Sequence, residues 1–428
     1  MTMASSFTNA HSHIFTANDA PDYFLKTAIK NTWVATQVDR LLQNDGTKWT
    51  IKWALKLFAL LSPQKRDIIR RYLEFIEIGT SSSQTDIFDQ LNRSYAQFQG
   101  HKIIVLTQVL DYLDLEDTTS GHTRISGQVE EVREIKRNAL YRNSIYPFLG
   151  LDPRQERLDL LGGWVQKYIC QNAGFYGIKI YPAAGFFPFD PRLDPIWDWA
   201  EKNQVPIMTH ATRSGSFYLG SFNSILNNGI LQTSQLQPGN VAGKGILDRI
   251  TTRVNAVIAD KSIQKKNATW CNVFGFPDNY ELILLRHPNL KICLAHLGGA
   301  SEVNRSTATN GKSPYPAYMS ENWYDMIIDL MTRYRNVYSD ISYTLSNAAA
   351  LKTIVSRFSQ PGLKDNFGVP LINKLMYGTD FYLTQQETKG DEPDLQTAFL
   401  QGFSGPQIQA LAFDNPANYL SSSTWPTP

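Results

Sequence analysis

Short apolar runs that end in a metal-ligand type of side chain recur along this chain, and that recurrence restricts the fold more than any other feature. Three runs carry it most clearly: Pro206-Ile-Met-Thr-His210, Leu290-Lys-Ile-Cys-Leu-Ala-His296 and Lys374-Leu-Met-Tyr-Gly-Thr-Asp380. Near the amino terminus, His11-Ser12-His13 adds two such side chains two residues apart. In an extended strand, residues i and i+2 project from the same face, so two imidazoles placed this way can grip one ion. Alone the pair is weak evidence, since such a pair is more often a polar strand end or loop than a metal site. Its downstream company, one ligand at the carboxyl end of each buried run, gives it weight.

Counting runs of this kind gives eight strands, at residues 6–13, 102–108, 144–150, 177–181, 205–210, 291–296, 336–342 and 375–380. Helical patterns separate them. Asp194 with Pro195 makes a cap and first turn for a helix beginning Ile196-Trp-Asp-Trp-Ala-Glu-Lys, since proline suits the first helical position. Ser62-Pro63 opens another, with apolar positions at Ile68, Ile69, Tyr72, Leu73 and Ile76 and a stop at Gly79. Strands alternating with helices predict an α/β chain with a parallel sheet. Functional side chains gathered at strand carboxyl ends predict a (β/α)8 TIM barrel, because that fold builds its active face there. The 428 residues exceed the roughly 250 of a bare barrel. Residues 1–428 are therefore expected to form a single barrel domain with helical and loop insertions after strands 1 and 5, at about 14–100 and 211–280. The polar stretch Ser221 to Lys244 in the second insertion is expected to lie as a loop over the active face.

Forty-one basic against 39 acidic residues leave a net charge of +2, too even a balance for a nucleic-acid or anionic-membrane surface. No run approaches the ~18 apolar residues of a membrane span, and residues 1–10 lack the apolar core of a signal peptide. The expectation is a cytoplasmic protein that acts on a small molecule, with no nucleic-acid or membrane partner and with homo-oligomerisation left open. The three cysteines, Cys170, Cys271 and Cys293, form no Cys-x-x-Cys pair and supply no disulfide framework. Cys293 lies three residues before His296, so strict alternation places it on the opposite strand face, against the helices.

At this point the residues carry a resemblance. Asn9-Ala-His11-Ser-His13, Gly177-Ile-Lys179-Ile-Tyr-Pro182, the runs ending in His210 and in His296-Leu-Gly-Gly299, Asn336-Val-Tyr-Ser-Asp340, Tyr377-Gly-Thr-Asp380 and Phe413-Asp-Asn-Pro-Ala-Asn-Tyr-Leu420 follow one another in order. Together they resemble the amidohydrolase superfamily, and more narrowly its amidohydrolase-related branch of metal-dependent hydrolases, lactonases and non-oxidative decarboxylases. The resemblance spans nearly the whole chain but covers the insertions poorly. It implies the barrel and a metal centre, and leaves the substrate open.

The chemistry of the residues agrees. His11, His13 and His210 with the Asp380 carboxylate form a donor set suited to one divalent ion, Zn²⁺ foremost, with Mn²⁺, Fe²⁺ or Co²⁺ also accommodated. Such an ion lowers the pKa of a water from 15.7 toward about 7. Asp380 is the expected proton acceptor, and His296, in the corresponding family position, is expected to hydrogen-bond that water or polarise the scissile carbonyl. A carboxylate after Gly-Thr also serves as a helix cap, and a histidine before Leu-Gly-Gly as a partner for a backbone carbonyl. Two-metal members of the superfamily carboxylate a lysine on strand four, and Lys179 occupies that place. The related branch usually holds one metal, so one ion is expected, with two ions bridged by a carboxylated Lys179 as the alternative. A rim lysine paired with a carboxylate is the bland reading of the same residue.

Arg213, three residues after His210, and Arg154, at the end of strand three, are candidates to clamp a substrate carboxylate; a solvated loop arginine is the alternative for each. Asp340 is expected to bond neighbouring backbone or to orient a ligand histidine, without taking part in the chemistry. Three functions follow. The leading one is metal-dependent hydrolysis of an amide, ester or lactone bond in a small organic molecule by metal-activated water. The runner-up is a metal-dependent non-oxidative decarboxylase of an unsaturated or aromatic acid. The remote alternative is a barrel that only binds.

Overall fold

Eight strands lie side by side in sequence order, and every neighbouring pair is parallel. They are β1 (Thr8–Ser12), β2 (Lys102–Leu106), β3 (Ile145–Leu151), β4 (Gly177–Ile180), β5 (Ile207–Thr212), β6 (Ile292–Gly298), β7 (Val337–Asp340) and β8 (Leu375–Met376). The computed structural model describes residues 6–19, 66–110, 124–155, 159–170, 174–213, 241–306 and 313–422. Ser62-Pro63 and nearly all of the polar stretch 221–244 fall outside the described residues. The sheet closes through a parallel bridge between Ser12 and Phe381. Backbone hydrogen bonds from Ala10 N to Tyr377 O at 2.9 Å and from Asp380 N to His11 O at 2.9 Å join the same seam. The expected (β/α)8 barrel is the observed fold.

Helices fill the connections. Between β1 and β2 lie α1 (Arg66–Gly79) and α2 (Gln84–Ser94), and α3 (Arg124–Arg137) links β2 to β3. A π-type helix, α4 (Leu160–Cys170), precedes β4, and α5 (Asp194–Asn203) precedes β5. The long connection to β6 carries α6 (Val241–Ala259), α7 (Asn267–Gly275) and α8 (Asp278–Arg286). Then come α9 (Ala300–Ser306) and α10 (Trp323–Arg333) before β7, and α11 (Ala348–Phe358) before β8. The chain finishes with α12 (Glu392–Gly402), α13 (Gly405–Gln409) and α14 (Asn415–Leu420). Pro195 occupies the first turn of α5 as expected, but Asp194 is already helical and caps nothing; its carboxylate accepts from Arg286 at 2.8 Å instead.

Alternation along the strands splits the core in two. Ile103, Val105, Ile178, Ile180, Ile207, Ile292 and Leu294 face outward into the large cluster shared with the helices. Ala10, Ile104, Leu106, Phe148, Met208, Cys293, Ala295 and Met376 form a separate inner cluster drawn from six of the strands. Both strand faces are apolar because both are covered, the pattern of a parallel sheet. Tyr419 and Leu420 of α14 join the inner cluster. Tyr419 donates to Ile207 O, at the amino-terminal end of β5, at 2.7 Å, so α14 plugs the barrel floor and the polar face is left at the opposite end.

Cys293 departs from expectation. It belongs to the barrel interior and not to the helix-facing layer, with Sγ 3.7 Å from Asp340 Oδ2. Counting back from His296 fails because His296 (φ 70) and Leu297 (φ 51) adopt left-handed backbone, which breaks the two-residue period between Cys293 and the strand end.

Candidate metal centre

Parity along β1 starts with Ala10 facing inward, which would turn His11 outward. A register shift between Asn9 and Ser12 resets it. Bulges of this kind re-aim side chains next to functional sites, and here the result is that His11 and His13 both face the barrel mouth, their ring centroids 5.3 Å apart. At β6 the left-handed run from His296 through Gly299 does the same for the His296 ring. Gly298 is required in that turn: its φ is +82, and a Cβ there would meet Tyr324 N at 2.8 Å.

Asp340 is the hub beneath the histidines. Its Oδ1 accepts from His296 N at 2.9 Å, Ser342 N at 3.0 Å and the Ser342 hydroxyl, while Oδ2 accepts from His11 Nδ1 at 3.0 Å. A carboxylate only accepts when ionised, so His11 carries its proton on Nδ1 and presents a lone pair at Nε2. His13 Nδ1 faces Leu106 O at 3.1 Å, and a carbonyl also only accepts, so its Nε2 is likewise a lone pair. Asp380 Oδ1 lies 3.3 Å from both of these nitrogens. Three electron-pair donors thus converge with no proton between them. His11 Nε2 and Asp380 Oδ1 are buried without a hydrogen-bond partner among the described residues, and His11, His13 and Asp380 meet the spacing for holding one ion. A divalent cation fits this donor set.

The other two histidines form a chain of their own. His296 Nδ1 lies 3.1 Å from Ser342 O, which fixes the proton there, and its Nε2 lies 3.1 Å from His210 Nδ1. With both rings neutral, His210 donates from Nδ1 to His296 and keeps its lone pair on Nε2. His210 is not among the three groups that converge on the ion position, although its ring stands 4.8 Å from that of His296.

Electrostatics hold the donors in ligand form. Burial drives the pKa of His11 and His13 below the ordinary histidine value, that of His210 well below it, and that of His296 to about 4. Neutral imidazole is what a metal requires. For Asp380, burial alone would raise the carboxyl, but His11, His13 and His296 outweigh it and hold it far below the usual range. Asp340 behaves alike, with burial opposed and overcome chiefly by His11. Lys179 projects into the barrel from β4, in register with Met208 and Gly150. Burial lowers its pKa to about 8, against the pull of Asp380 and Asp340.

The two arginines are engaged within the protein. Arg213 donates to Met319 O at 2.9 Å and Glu321 O at 2.7 Å, its Nε is 3.4 Å from Glu302 Oε2, and its guanidinium lies 4.1 Å from the Tyr315 ring centre and 4.9 Å from that of Trp323. It braces the segment before α10 against the end of β5. Arg154 forks onto Asp152, with Nε at 2.8 Å, and reaches Ala184 O at 3.2 Å. Phe187 stacks on Phe189 at 4.7 Å and meets the Phe274 ring of α7 edge-on at 5.1 Å. Two residues that sequence reasoning passed over, Ser342 and Asn9, contact the His296 ring and the His11 backbone N–H directly. Position gave a hint: Asn9 precedes His11 by two, and Ser342 follows Asp340 by two.

A family model described as amidohydrolase matches residues 166–420, well over half of the chain. The chain belongs to the amidohydrolase superfamily, in its amidohydrolase-related branch. No curated protein matches it. Solved structures with a similar course include 5-carboxyvanillate decarboxylase from Novosphingobium aromaticivorans, at 13% identity and a TM-score of 0.49 over 97% of this chain and 96% of that one. The 4-oxalomesaconate hydratase of Rhodopseudomonas palustris is 12% identical, with a TM-score of 0.45 over 97% and 95%. A probable 2-pyrone-4,6-dicarboxylic acid hydrolase from Acinetobacter baumannii is 11% identical, with a TM-score of 0.41 over 97% and 99%. This amidohydrolase-family enzyme therefore carries a His/Asp cluster at the active end of its barrel, and no helix among its described residues is long and apolar enough to cross a membrane.

Proposed function

We propose that this amidohydrolase-family chain, working as one barrel domain, holds a single divalent metal ion on His11, His13 and Asp380, with His210 completing the set, and hydrolyses an amide, ester or lactone bond of a small organic substrate. One observation carries the reading: Asp380 Oδ1 sits 3.3 Å from two imidazole nitrogens that hold no proton. Lone pairs repel unless a cation lies among them. Zn²⁺ suits three imidazoles and a carboxylate, and when bound such an ion lowers the pKa of water toward about 7 and polarises a carbonyl.

The protein's own groups do the rest. Asp380 is held far below the ordinary carboxylate range against the effect of burial, so it is ionised at neutral pH and can accept a proton and later return it to the leaving group. Asp340 and Leu106 O fix the tautomers of His11 and His13. His296, bound to Ser342 on one side and His210 on the other, holds the His210 ring so that its Nε2 remains a donor pair. Lys179 supplies a buried cation beside the two aspartates, and carboxylation of Lys179 is the route to a second ion. Arg213 and Arg154 are assigned no substrate, since their donors are already directed at Glu302, Asp152 and backbone carbonyls. Among the described residues, neither arginine therefore supports an acid substrate, and hydrolysis stays the leading reading with decarboxylation as its alternative.

The test is product chemistry. With amides, esters, lactones and aromatic or unsaturated acids offered to the metal-loaded protein in ¹⁸O-water, a new carboxylate carrying solvent oxygen is the expected product. Carbon dioxide release with no oxygen incorporation would replace the hydrolase by the decarboxylase on the same ligands.

A further inference from the structure

One buried amide joins both halves of the metal centre from behind. Asn9, fully buried on β1, accepts at Oδ1 from the backbone N–H of His11 at 3.1 Å and of Thr379 at 3.2 Å. Its Nδ2 donates to Thr379 Oγ1 at 2.8 Å and reaches Glu392 Oε1 at 3.4 Å. Glu392, in the first turn of α12, also accepts from the Tyr95 hydroxyl, which lies 2.9 Å from that of Tyr377. With acceptors on one side and two N–H groups on the other, the amide has a single orientation.

The position matters because β1 and β8 meet where the barrel lacks a regular ladder among the described residues. Their contact is one bridge and a few backbone bonds. The bulge that turns His11 toward the ion displaces its N–H from a ladder partner, and Asn9 Oδ1 takes that N–H together with the one just before Asp380. Buried backbone donors need such partners. The seam is also tight: a Cβ on Gly378 would lie 2.9 Å from His11 Cβ. We infer that Asn9 is a positioning residue for the metal centre, an amide knot that locks β1 to β8 so that His11 Nε2 and Asp380 Oδ1 converge on one point, with Glu392 holding the knot in register. The inference rests on the metal reading above.

Metal affinity measures it without a substrate. Calorimetric titration of metal-free protein with Zn²⁺ and with Mn²⁺ is compared for wild type, Asn9→Ala and the pair Asn9→Asp/Glu392→Gln, with circular dichroism and thermal melts as the check on folding. Partners that orient metal ligands are typically worth about 10- to 100-fold in affinity, and that loss is expected for Asn9→Ala in a folded protein. The double variant keeps an acceptor for the two N–H groups and reverses the donor between positions 9 and 392, so its affinity should return to within about threefold of wild type. Folded Asn9→Ala that binds both metals like wild type overturns the inference. If Asn9→Ala does not fold, the double variant decides: retained affinity supports the knot, and a loss of tenfold or more overturns it. A wild-type chain that binds neither metal instead sinks the metal reading itself.

Discussion

His11 Nε2 and Asp380 Oδ1 stand 3.3 Å apart, 369 residues distant in sequence, both buried and neither hydrogen-bonded among the described residues. Backbone contact brings them together, since Asp380 N donates to His11 O at 2.9 Å. Two buried lone pairs in this relation cost free energy unless something positive lies between them.

The purified chain should therefore carry about one divalent metal ion, and the double substitution His11→Ala/His13→Ala should abolish its retention while leaving the barrel folded. Elemental analysis reads the first and circular dichroism the second. A count near two per chain with added mass on Lys179 would replace the mononuclear site by a bridged one, and a metal-retaining double variant would show that the amino-terminal pair is not the ligand set.

Asp380→Asn keeps size and one oxygen but loses the charge that accepts the proton. Turnover on an established substrate should fall by roughly the 10²- to 10⁴-fold of a missing general base, with only modest loss of metal. Steady-state rates alongside metal analysis separate the two effects, and unaltered turnover would reduce Asp380 to a structural role.

Glu392 gives a pH signature of definite sign. Burial raises its carboxyl to about 7 in the folded protein from an ordinary 4.5, so its contribution is full below about 4.5 and is lost as pH rises toward 7, to the extent of on the order of 3 kcal/mol. His296 acts oppositely, its pKa falling from 6.5 to about 4, so stability drops as pH falls through that window. Glu392→Gln keeps the histidine effect and removes the other. Its melting temperature relative to wild type should climb between pH 4.5 and 7 and then level off; a flat difference across that range would mean that Glu392 is ionised in the fold throughout.

Arg213 should behave as a brace. Its ion pair with Glu302 is buried on both sides, but Glu302 also holds Arg305 at 2.7 Å, so losing Arg213 should cost less than the about 3–5 kcal/mol of a buried pair whose partner is left alone. Arg213→Ala should lower the denaturation midpoint by a corresponding amount, and Arg213→Lys should recover little, because an ammonium cannot reach two carbonyls while lying flat between Tyr315 and Trp323. Full stability of Arg213→Ala with a raised KM would return Arg213 to the substrate.

The eight strands and the barrel were legible in the residues alone, and so was the convergence of His11, His13 and Asp380; His210, expected beside them, stands outside that group. Strand runs such as Lys102–Leu106 and Ile292–Gly298 announce themselves because period-two apolar patterning and strand length are local properties, and a parallel barrel gathers strand carboxyl ends at one face whatever the loops do. Local information ended at the backbone dihedrals. Nothing in His11-Ser12-His13 declares the bulge that turns both rings inward, and nothing around His296 declares the left-handed turn that puts Cys293 inside the barrel. Those angles are selected by partners far along the chain, Thr379 and Asp340 among them. Arg213 shows the same limit from the other side: three residues past His210 it has the sequence profile of a substrate clamp, and only the arrival of Glu302, Tyr315 and Trp323 from beyond β6 takes up its charge. These points rest on long-range packing because a side chain's role depends on which donors and acceptors surround it, and that is set across the barrel.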